Sequence, residues 1–126
     1  MNPEVLIVDD DRIFLIIQKR MVVMSGLHDS PLVFINGREA LDFIQASADE
    51  DRSFLILLDI NMPVMNGWEF LDTISGTFSI DRVRVVVVSS SVNVVDKEKA
   101  NQYRHVISYL EKPIKPESLT ALKTII

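Results

Sequence analysis

Five short, largely apolar runs are spread along the chain, and a segment with helical periodicity follows each of them. The runs cover residues 5–8, 32–35, 55–58, 83–88 and 106–110. They show little of the alternation between apolar and polar residues that marks a half-exposed strand, and such runs are typical of strands buried on both faces. The regular alternation of strands and helices therefore predicts an α/β fold, with a parallel sheet, right-handed crossovers and helices on both faces.

The first helix is predicted from both its spacing and its ends. Four apolar residues recur on one face and are expected to point to the core: Phe14, Ile17, Met21 and Met24. Gln18 lies largely off that face, together with the neighbouring charged residues. Asp11 is interpreted as the N-cap, and Gly26 as the residue that ends the helix.

The later helices carry similar signals. Asn36 and Asn66 are each followed three residues later by a glutamate, which is the spacing of a capping box. Gly76 is expected to break the third helix, the fourth is expected over residues 94–103, and Pro116 suits the first turn of the fifth. The residues predicted to face the core are Ala40, Leu41, Ile44, Trp68, Leu71, Ile74, Leu119, Leu122 and Ile126.

Composition narrows the classes of function. The chain has 126 residues, 48% hydrophobic and 25% charged, which suits one globular domain over residues 1–126. A net charge of -5 argues against the clustered Lys and Arg of a nucleic-acid interface. The absence of cysteine excludes disulfides, thiolate metal sites and thiol nucleophiles. No stretch has the length of a membrane span or the pattern of a signal peptide, so a cytoplasmic location without a membrane partner is expected.

Charged and hydroxyl side chains follow the predicted strands where each strand ends. Asp9 and Asp10 follow the first strand, Asp59 the third, Ser89 the fourth and Lys112 the fifth. In a parallel sheet these ends share one edge, where α/β proteins bind ligands. Converging carboxylates would repel one another, and a hard divalent cation with oxygen ligands, Mg²⁺, would relieve that repulsion. A lysine and a hydroxyl nearby are the groups that bind a phosphoryl group.

Each of these residues also has an ordinary structural explanation. The aspartates could form a solvated helix N-terminus, Ser89 a turn and Lys112 a surface charge. Their common position at the strand ends of one α/β pattern favours a functional site over several separate coincidences.

Four motifs resemble the receiver domain of two-component response regulators. They are Val-Asp-Asp at residues 8–10, Asp-Ile-Asn-Met-Pro-Val-Met-Asn-Gly at 59–67, Val-Ser-Ser at 88–90 and Tyr-Leu-Glu-Lys-Pro at 109–113. The resemblance covers essentially the whole chain, in order and with matching spacing. It implies a flavodoxin-like (βα)5 fold with strand order 2-1-3-4-5.

The resemblance implies a role for each acidic residue. Asp59 would accept a phosphoryl group from a histidine kinase or a histidine phosphotransfer protein, forming an aspartyl phosphate. Asp10, Asp59 and the backbone carbonyl of Asn61 would bind Mg²⁺ directly, and Asp9 would act mainly through a bound water. The chain would then catalyse only its own phosphorylation and dephosphorylation. Asn61 and Ser91 occupy the positions that the family varies to set phosphoryl lifetime, and a moderate to slow hydrolysis is expected.

The resemblance also implies a switch. Lys112 would pair with Asp59 at rest and with the phosphate afterwards, and Ser89, with Ser90 beside it, would bind a phosphoryl oxygen. Tyr109 would turn from an exposed to a buried rotamer, so that a local charge event would change a partner-binding surface. That surface would comprise the fourth helix, fifth strand and fifth helix. The bond between Lys112 and Pro113 is expected to be cis.

Two other functions compete with this one. Residues 9–13 loosely fit the signature of haloacid-dehalogenase-like phosphatases, in which Asp9 would be the nucleophile. That hypothesis leaves Asp59 and its loop unexplained, and the chain lacks a late acidic pair and a cap insertion. A receiver fold that no longer takes phosphate is the third hypothesis. It would be expected to have lost at least one of the residues above, and this chain retains them.

Overall fold

Five strands and five helices alternate along the chain in the computed structural model, which describes residues 3–47, 51–90 and 93–125. The strands are β1 (Glu4–Val8), β2 (Leu32–Phe34), β3 (Phe54–Leu58), β4 (Val83–Ser89) and β5 (Val106–Glu111). The helices are α1 (Arg12–Ser25), α2 (Gly37–Ala46), α3 (Gly67–Thr77), α4 (Val94–Asn101) and α5 (Pro116–Leu122). All strand pairs are parallel, in the order β2-β1-β3-β4-β5. The predicted fold and strand order are confirmed.

The core consists of two apolar layers, one on each face of the sheet. Alternate residues of the central strands point to opposite faces, so each strand supplies side chains to both layers. One layer joins the sheet to α1 and α5, and includes Ile7, Leu57 and Val86. The other joins it to α2 and α3, and includes Leu6 and Ile56. Because all five residues of β3 are buried, the predicted central strand is indeed covered on both faces.

Helix ends follow the predicted chemistry. The Asp11 carboxylate accepts hydrogen bonds from the backbone N–H groups of Ile13 and Phe14, so it is the N-cap of α1. Gly26 ends α1 with φ 77°, a left-handed conformation that glycine adopts without strain. Asn66 and Glu69 form a reciprocal capping box at the start of α3.

The predicted inward face of α1 is wrong by about one residue. Ile17 and Met24 are 47% and 77% exposed, whereas Gln18 is buried. Phe14 and Met21 lie at the edge of the buried face, and its centre is the row of buried residues Leu15, Gln18 and Val22. The apolar residues of α1 occur nearly all round the helix, so their spacing alone fits two overlapping faces and does not select between them.

Several boundaries also differ from the prediction. Helix α3 runs through Gly76 to Thr77, because the backbone N–H of Phe78 still bonds to Ile74 and one glycine in a last turn is tolerated. Strand β2 ends at Phe34, and α4 ends at Asn101, before the predicted residue 103. The predicted core residue Ile126, and Ser91, lie outside the described residues. Among the described helices, none combines the length and the apolar character that crossing a membrane requires.

Candidate acidic site at the carboxyl edge of the sheet

The backbone of the sheet fixes the main site residues in position. Asp9 and Asp59 each come directly after a strand, and their N–H groups donate to the neighbouring strand at 3.0 and 2.9 Å. Lys112 follows β5 and donates its N–H to the carbonyl of Ser89 at 2.9 Å. The backbone of each residue thus adds one hydrogen bond to the end of the sheet. These bonds fix the position from which the side chain extends into the site.

Three carboxylates meet at this edge. One oxygen from each of Asp9, Asp10 and Asp59 lies within 4.8 Å of the others. Asp9 and Asp59 are 1% and 6% exposed, and Asp10 is exposed. Oxygen donors that are partly buried and open to water on one side suit Mg²⁺, so the donor set fits that ion.

Lys112 is the cation of the site. Its ammonium lies 2.8 Å from Oδ2 of Asp9 and 3.6 Å from Oδ2 of Asp59, and 4.5 Å from the centre of the Phe14 ring. Burial lowers the pKa of Lys112, but the hydrogen bond to Asp9 and the charges of both carboxylates outweigh burial, so its pKa is raised. Lys112 is therefore a permanent positive charge, and it sits closer to Asp9 than to Asp59.

Asp59 is the carboxylate with the perturbed acidity. Burial raises its pKa to about 6, and the charge of Asp9 acts in the same direction. Lys112 and the backbone N–H groups of Ile60 and Asn61 lower the pKa, but they do not compensate for burial. Near neutral pH Asp59 is thus mostly ionised, in a place where its negative charge is poorly stabilised.

Three donors hold the carboxylate of Asp9 in place. Its Oδ1 accepts the backbone N–H of Asp11 at 2.9 Å, and its Oδ2 accepts the side-chain amide of Gln18 at 3.4 Å in addition to Lys112. The role of Gln18 was not predicted from the sequence, because the predicted inward face of α1 excluded this residue. The available signal was the spacing of Leu15, Gln18 and Val22, which is also that of a helix face.

The loop after β3 approaches the site closely at one glycine. A Cβ atom on Gly67 would lie 2.7 Å from the carbonyl oxygen of Asp59 and from the Cα of Ile60, so only glycine fits there. The N–H of Gly67 donates to the Ile60 carbonyl at 2.8 Å. Within the same loop, Val64 has φ 69° and is 78% exposed. A β-branched residue is strained in that conformation.

The residues expected to form the switch lie on β4 and β5 or directly after them. Ser89 is buried and Ser90 is exposed, both at the end of β4. Tyr109 is half-buried on β5, with the Lys97 ammonium 5.8 Å from its ring centre. The peptide bond between Lys112 and Pro113 is cis. Trp68, predicted to face the core, is half-buried against the core layer of α2 and α3, and its ring stacks on that of Tyr103 with the centres 6.2 Å apart.

Residues 5–123 match the family model described as the response regulator receiver domain. The chain belongs to this family. The match covers nearly all of the described residues and includes all three carboxylates, Ser89 and Lys112.

Similar proteins agree with the family model. The transcriptional regulatory protein PrrA of Mycobacterium tuberculosis is 35% identical over 120 residues, which cover 95% of this chain and 48% of PrrA. The receiver domain thus spans about half the length of the first curated relatives. A two-component response regulator from Cytophaga hutchinsonii has a TM-score of 0.86 and 28% identity, over 98% of this chain and 95% of that one. A response regulator receiver protein from Dyadobacter fermentans has a TM-score of 0.82 and 31% identity, over 94% and 93%.

Membership of the family settles the class of function. The chain is a receiver domain of two-component response regulators, a signalling domain and not an enzyme of metabolism. Receiver domains generally bind Mg²⁺ at an acidic site, and they act between a histidine kinase and a downstream effector. The alternative of a haloacid-dehalogenase-like phosphatase is not favoured.

Proposed function

We propose that Asp59 of this receiver domain accepts a phosphoryl group from a histidine kinase or a histidine phosphotransfer protein. The observation that carries the proposal is the convergence of three carboxylates and one ammonium at the carboxyl edge of the sheet. Of the three, Asp59 is the buried carboxylate whose pKa is raised to about 6. A more basic carboxylate is a better nucleophile once it is ionised.

The transfer exchanges one bond for another. A carboxylate oxygen of Asp59 forms a bond to phosphorus while the bond from phosphorus to the donor's imidazole nitrogen breaks, and that nitrogen takes a proton. Asp59 must be deprotonated for the attack, which a pKa of about 6 permits near neutral pH. Lys112, 3.6 Å from Asp59, is close enough to move onto a phosphoryl oxygen.

Asp10, Asp59 and the backbone carbonyl of Asn61 would hold Mg²⁺ directly, and Asp9 would hold it mainly through water. The bound ion would offset the negative charge shared by the carboxylates and the incoming phosphoryl group. The chain's own part is to hold these oxygens together: Asp9 is kept in place by three donors, and Asp10 remains accessible to solvent.

Phosphorylation would change the conformation of residues at the end of β4 and on β5. Ser89 and Ser90 would supply donors to the phosphoryl oxygens, and Tyr109 would move inward to follow them. Ser89 of β4 pairs with Glu111 of β5, so a displacement at the end of β4 would also displace the end of β5. This is a two-state surface biased by a local charge event.

The surface of α4, β5 and α5 would bind the downstream protein. The residues expected on this surface form a mixed set, of which Lys97 and Tyr109 lie together on α4 and β5, with Lys97 paired to Glu111. Lys99 and Tyr103 instead contact Trp68 and Asp72 of α3, and Lys123 donates to the Ser25 carbonyl at the end of α1. A chain of net charge -5 with this mixed surface is suited to a protein partner and not to direct binding of nucleic acid. We place this activity in the cytoplasm, with residues 1–126 acting as one receiver domain.

The deciding experiment is the intact mass of the protein after incubation with Mg²⁺ and a small-molecule phosphodonor, with and without the substitution Asp59→Asn. We expect one added phosphoryl group, acid-stable and base-labile, that is absent from the variant. Omission of Mg²⁺ is the control for the ion.

Two results would overturn the proposal. Absence of any modification, with the small donor and with a phosphorylated kinase, would favour an interaction module that works without phosphate. Modification that survives Asp59→Asn but disappears in Asp9→Asn would move the nucleophile to Asp9.

A further inference from the structure

Gln18 is a polar residue in the middle of an apolar helix face. It is 1% exposed, and its neighbours one turn away on the same face, Leu15 and Val22, belong to the apolar layer under α1. An ionised carboxylate only accepts hydrogen bonds, so the nitrogen of the Gln18 amide must face Asp9. The oxygen Oε1 then points away from Asp9 and has no hydrogen-bond partner among the described residues.

A buried amide with one unsatisfied atom destabilises a fold, and a leucine or methionine would suit this face better. The presence of a glutamine therefore calls for a function. Its side-chain hydrogen bond identifies where that function lies, because among the described residues the amide donates to Oδ2 of Asp9.

Two donors share this one oxygen atom. The Lys112 ammonium lies 2.8 Å from Oδ2 of Asp9, and the Gln18 amide lies 3.4 Å from the same atom. The short contact belongs to the charged donor, and the longer contact to the neutral one. While Lys112 stays in place, the hydrogen bond from Gln18 to Asp9 is therefore weaker than the bond from Lys112 to Asp9.

Phosphorylation of Asp59 changes this arrangement. A phosphoryl group at Asp59 draws the ammonium of Lys112 away from Asp9, which is 1% exposed and therefore has little access to bulk water for replacement donors. A buried carboxylate that loses its charged partner is destabilised unless another donor replaces it.

We infer that Gln18 is a positioning residue that keeps Oδ2 of Asp9 hydrogen-bonded when Lys112 moves from Asp9 to the phosphoryl group. The inference rests on the proposed function, because it takes Asp59 as the phosphoacceptor. Gln18 lowers the free energy that Lys112 needs to leave Asp9, and it keeps the Asp9 carboxylate oriented at the site. Its hydrogen bond is to Asp9, so it acts on the site through Asp9.

The first test is a double-mutant cycle of thermal unfolding without Mg²⁺, using Gln18→Met, Lys112→Met and the double variant. Methionine matches the shape of glutamine but cannot donate. In the wild-type background, Gln18→Met should leave the melting temperature unchanged or raise it, because it removes the unpaired Oε1. In the Lys112→Met background, the same change should lower the melting temperature by about 3 °C, because Asp9 then loses its last side-chain donor.

The second test is the rate of Asp59 phosphorylation by a small phosphodonor at saturating Mg²⁺. Gln18→Met should slow this rate about fivefold, the effect of one hydrogen bond. Val22→Ala, one turn further along the same buried face, is the matched control. It should lower the melting temperature by creating a cavity, while the rate stays at the wild-type value.

The outcomes separate this inference from the proposed function. Wild-type protein that is phosphorylated on Asp59, together with an additive cycle and an unchanged rate in Gln18→Met, would overturn the role of Gln18 alone. Wild-type protein that takes no phosphoryl group would overturn the proposed function and, with it, the role of Gln18 in the transfer. A non-additive cycle with a slowed rate supports the inference.

Discussion

The two edges of the same sheet treat charge in opposite ways. At the carboxyl edge three carboxylates meet, two of them, Asp9 and Asp59, share the ammonium of Lys112, and the pKa of Asp59 is raised to about 6. At the amino edge, the Arg52 guanidinium donates to Glu4 at 2.7 Å and lies 5.5 Å from the centre of the Phe54 ring. One edge carries an excess of negative charge, and the other carries a matched pair packed on an aromatic ring.

Other polar groups at the amino edge also bond to the backbone, although Nδ1 of His105 has no hydrogen-bond partner among the described residues. Arg82 donates to the backbone carbonyls of Arg52 and Ser47 and lies 5.5 Å from the centre of the Phe78 ring. The Nε2 atom of buried His105 lies 2.7 Å from the Phe78 carbonyl oxygen. Here polar groups close the bottom of the core and stabilise the fold.

The difference shows which edge is built for a ligand. Balanced charges lower the free energy of the folded state, whereas the carboxyl edge keeps a repulsion that a cation or a phosphoryl group can change. The fold contributes stability at one end of its strands, and it gives up part of that stability at the other end to create a responsive site.

Removal of one unbalanced charge should give the largest change in stability. We expect Asp59→Asn to raise the free energy of unfolding by about 2 kcal/mol near pH 8 without Mg²⁺, because the variant no longer buries a poorly stabilised negative charge. The measurement is urea unfolding followed by circular dichroism.

The pH dependence of that gain provides its control. Since the folded chain raises the pKa of Asp59 from 3.8 to about 6, the folded wild type binds a proton more readily than the unfolded chain. The destabilisation by Asp59 is therefore complete above the folded pKa and fades as the pH falls towards 3.8. A gain that is equally large at both ends of this range would contradict the electrostatic explanation.

Removal of a balanced charge should act in the opposite direction. Arg52→Met should lower the free energy of unfolding by about 1 kcal/mol, because it loses a partly exposed ion pair with Glu4 and the contacts with the rings of Phe43 and Phe54. The methionine keeps most of the apolar stem over the rings. Urea unfolding in low and high salt is the measurement, and the difference from wild type should shrink as salt screens the pair.

If the two edges are separate in function, Arg52→Met should also leave the rate of Asp59 phosphorylation unchanged. A slowed rate at temperatures well below unfolding would show that the amino edge is coupled to the site.

An effect of similar size to that of Arg52→Met concerns strain near the site. Val64→Asn should raise the free energy of unfolding by about 1 kcal/mol, because asparagine adopts positive φ more readily than a β-branched residue. Thermal unfolding of this variant, with Val64→Ile as the matched control that keeps the strain, is the measurement. Equal melting temperatures for the two variants would mean that the loop is not strained by Val64.

Much of the fold could be predicted because local signals and burial agree. The fully buried run before Asp59 and the capping pair Asn66 and Glu69 are read correctly, since each depends on a short stretch of chain. The face of α1 could not be predicted in the same way, since which of several apolar rows is buried depends on how α1 lies against the sheet and α5.

The site likewise has features that could be predicted from the sequence and features that could not. Asp9, Asp59 and Lys112 could be brought together from their positions after strands, because strand ends in a parallel sheet share an edge. The closer pairing of Lys112 with Asp9 than with Asp59, and the contact of Gln18 with Asp9, depend on side-chain geometry across three elements. No periodicity in the sequence contains that information.

The reach of Lys112 has a consequence for the sheet as a whole. The residue follows β5, yet its ammonium touches Asp9 after β1, with the ends of β4 and β3 in between. Neighbouring strands lie about 4.8 Å apart, so this contact requires the side chains of Lys112 and Asp9 to extend towards each other over the ends of β4 and β3. The width and twist of the sheet at this edge therefore determine whether cation and carboxylates meet. A change that spread the strands apart would open the site even with every site residue in place.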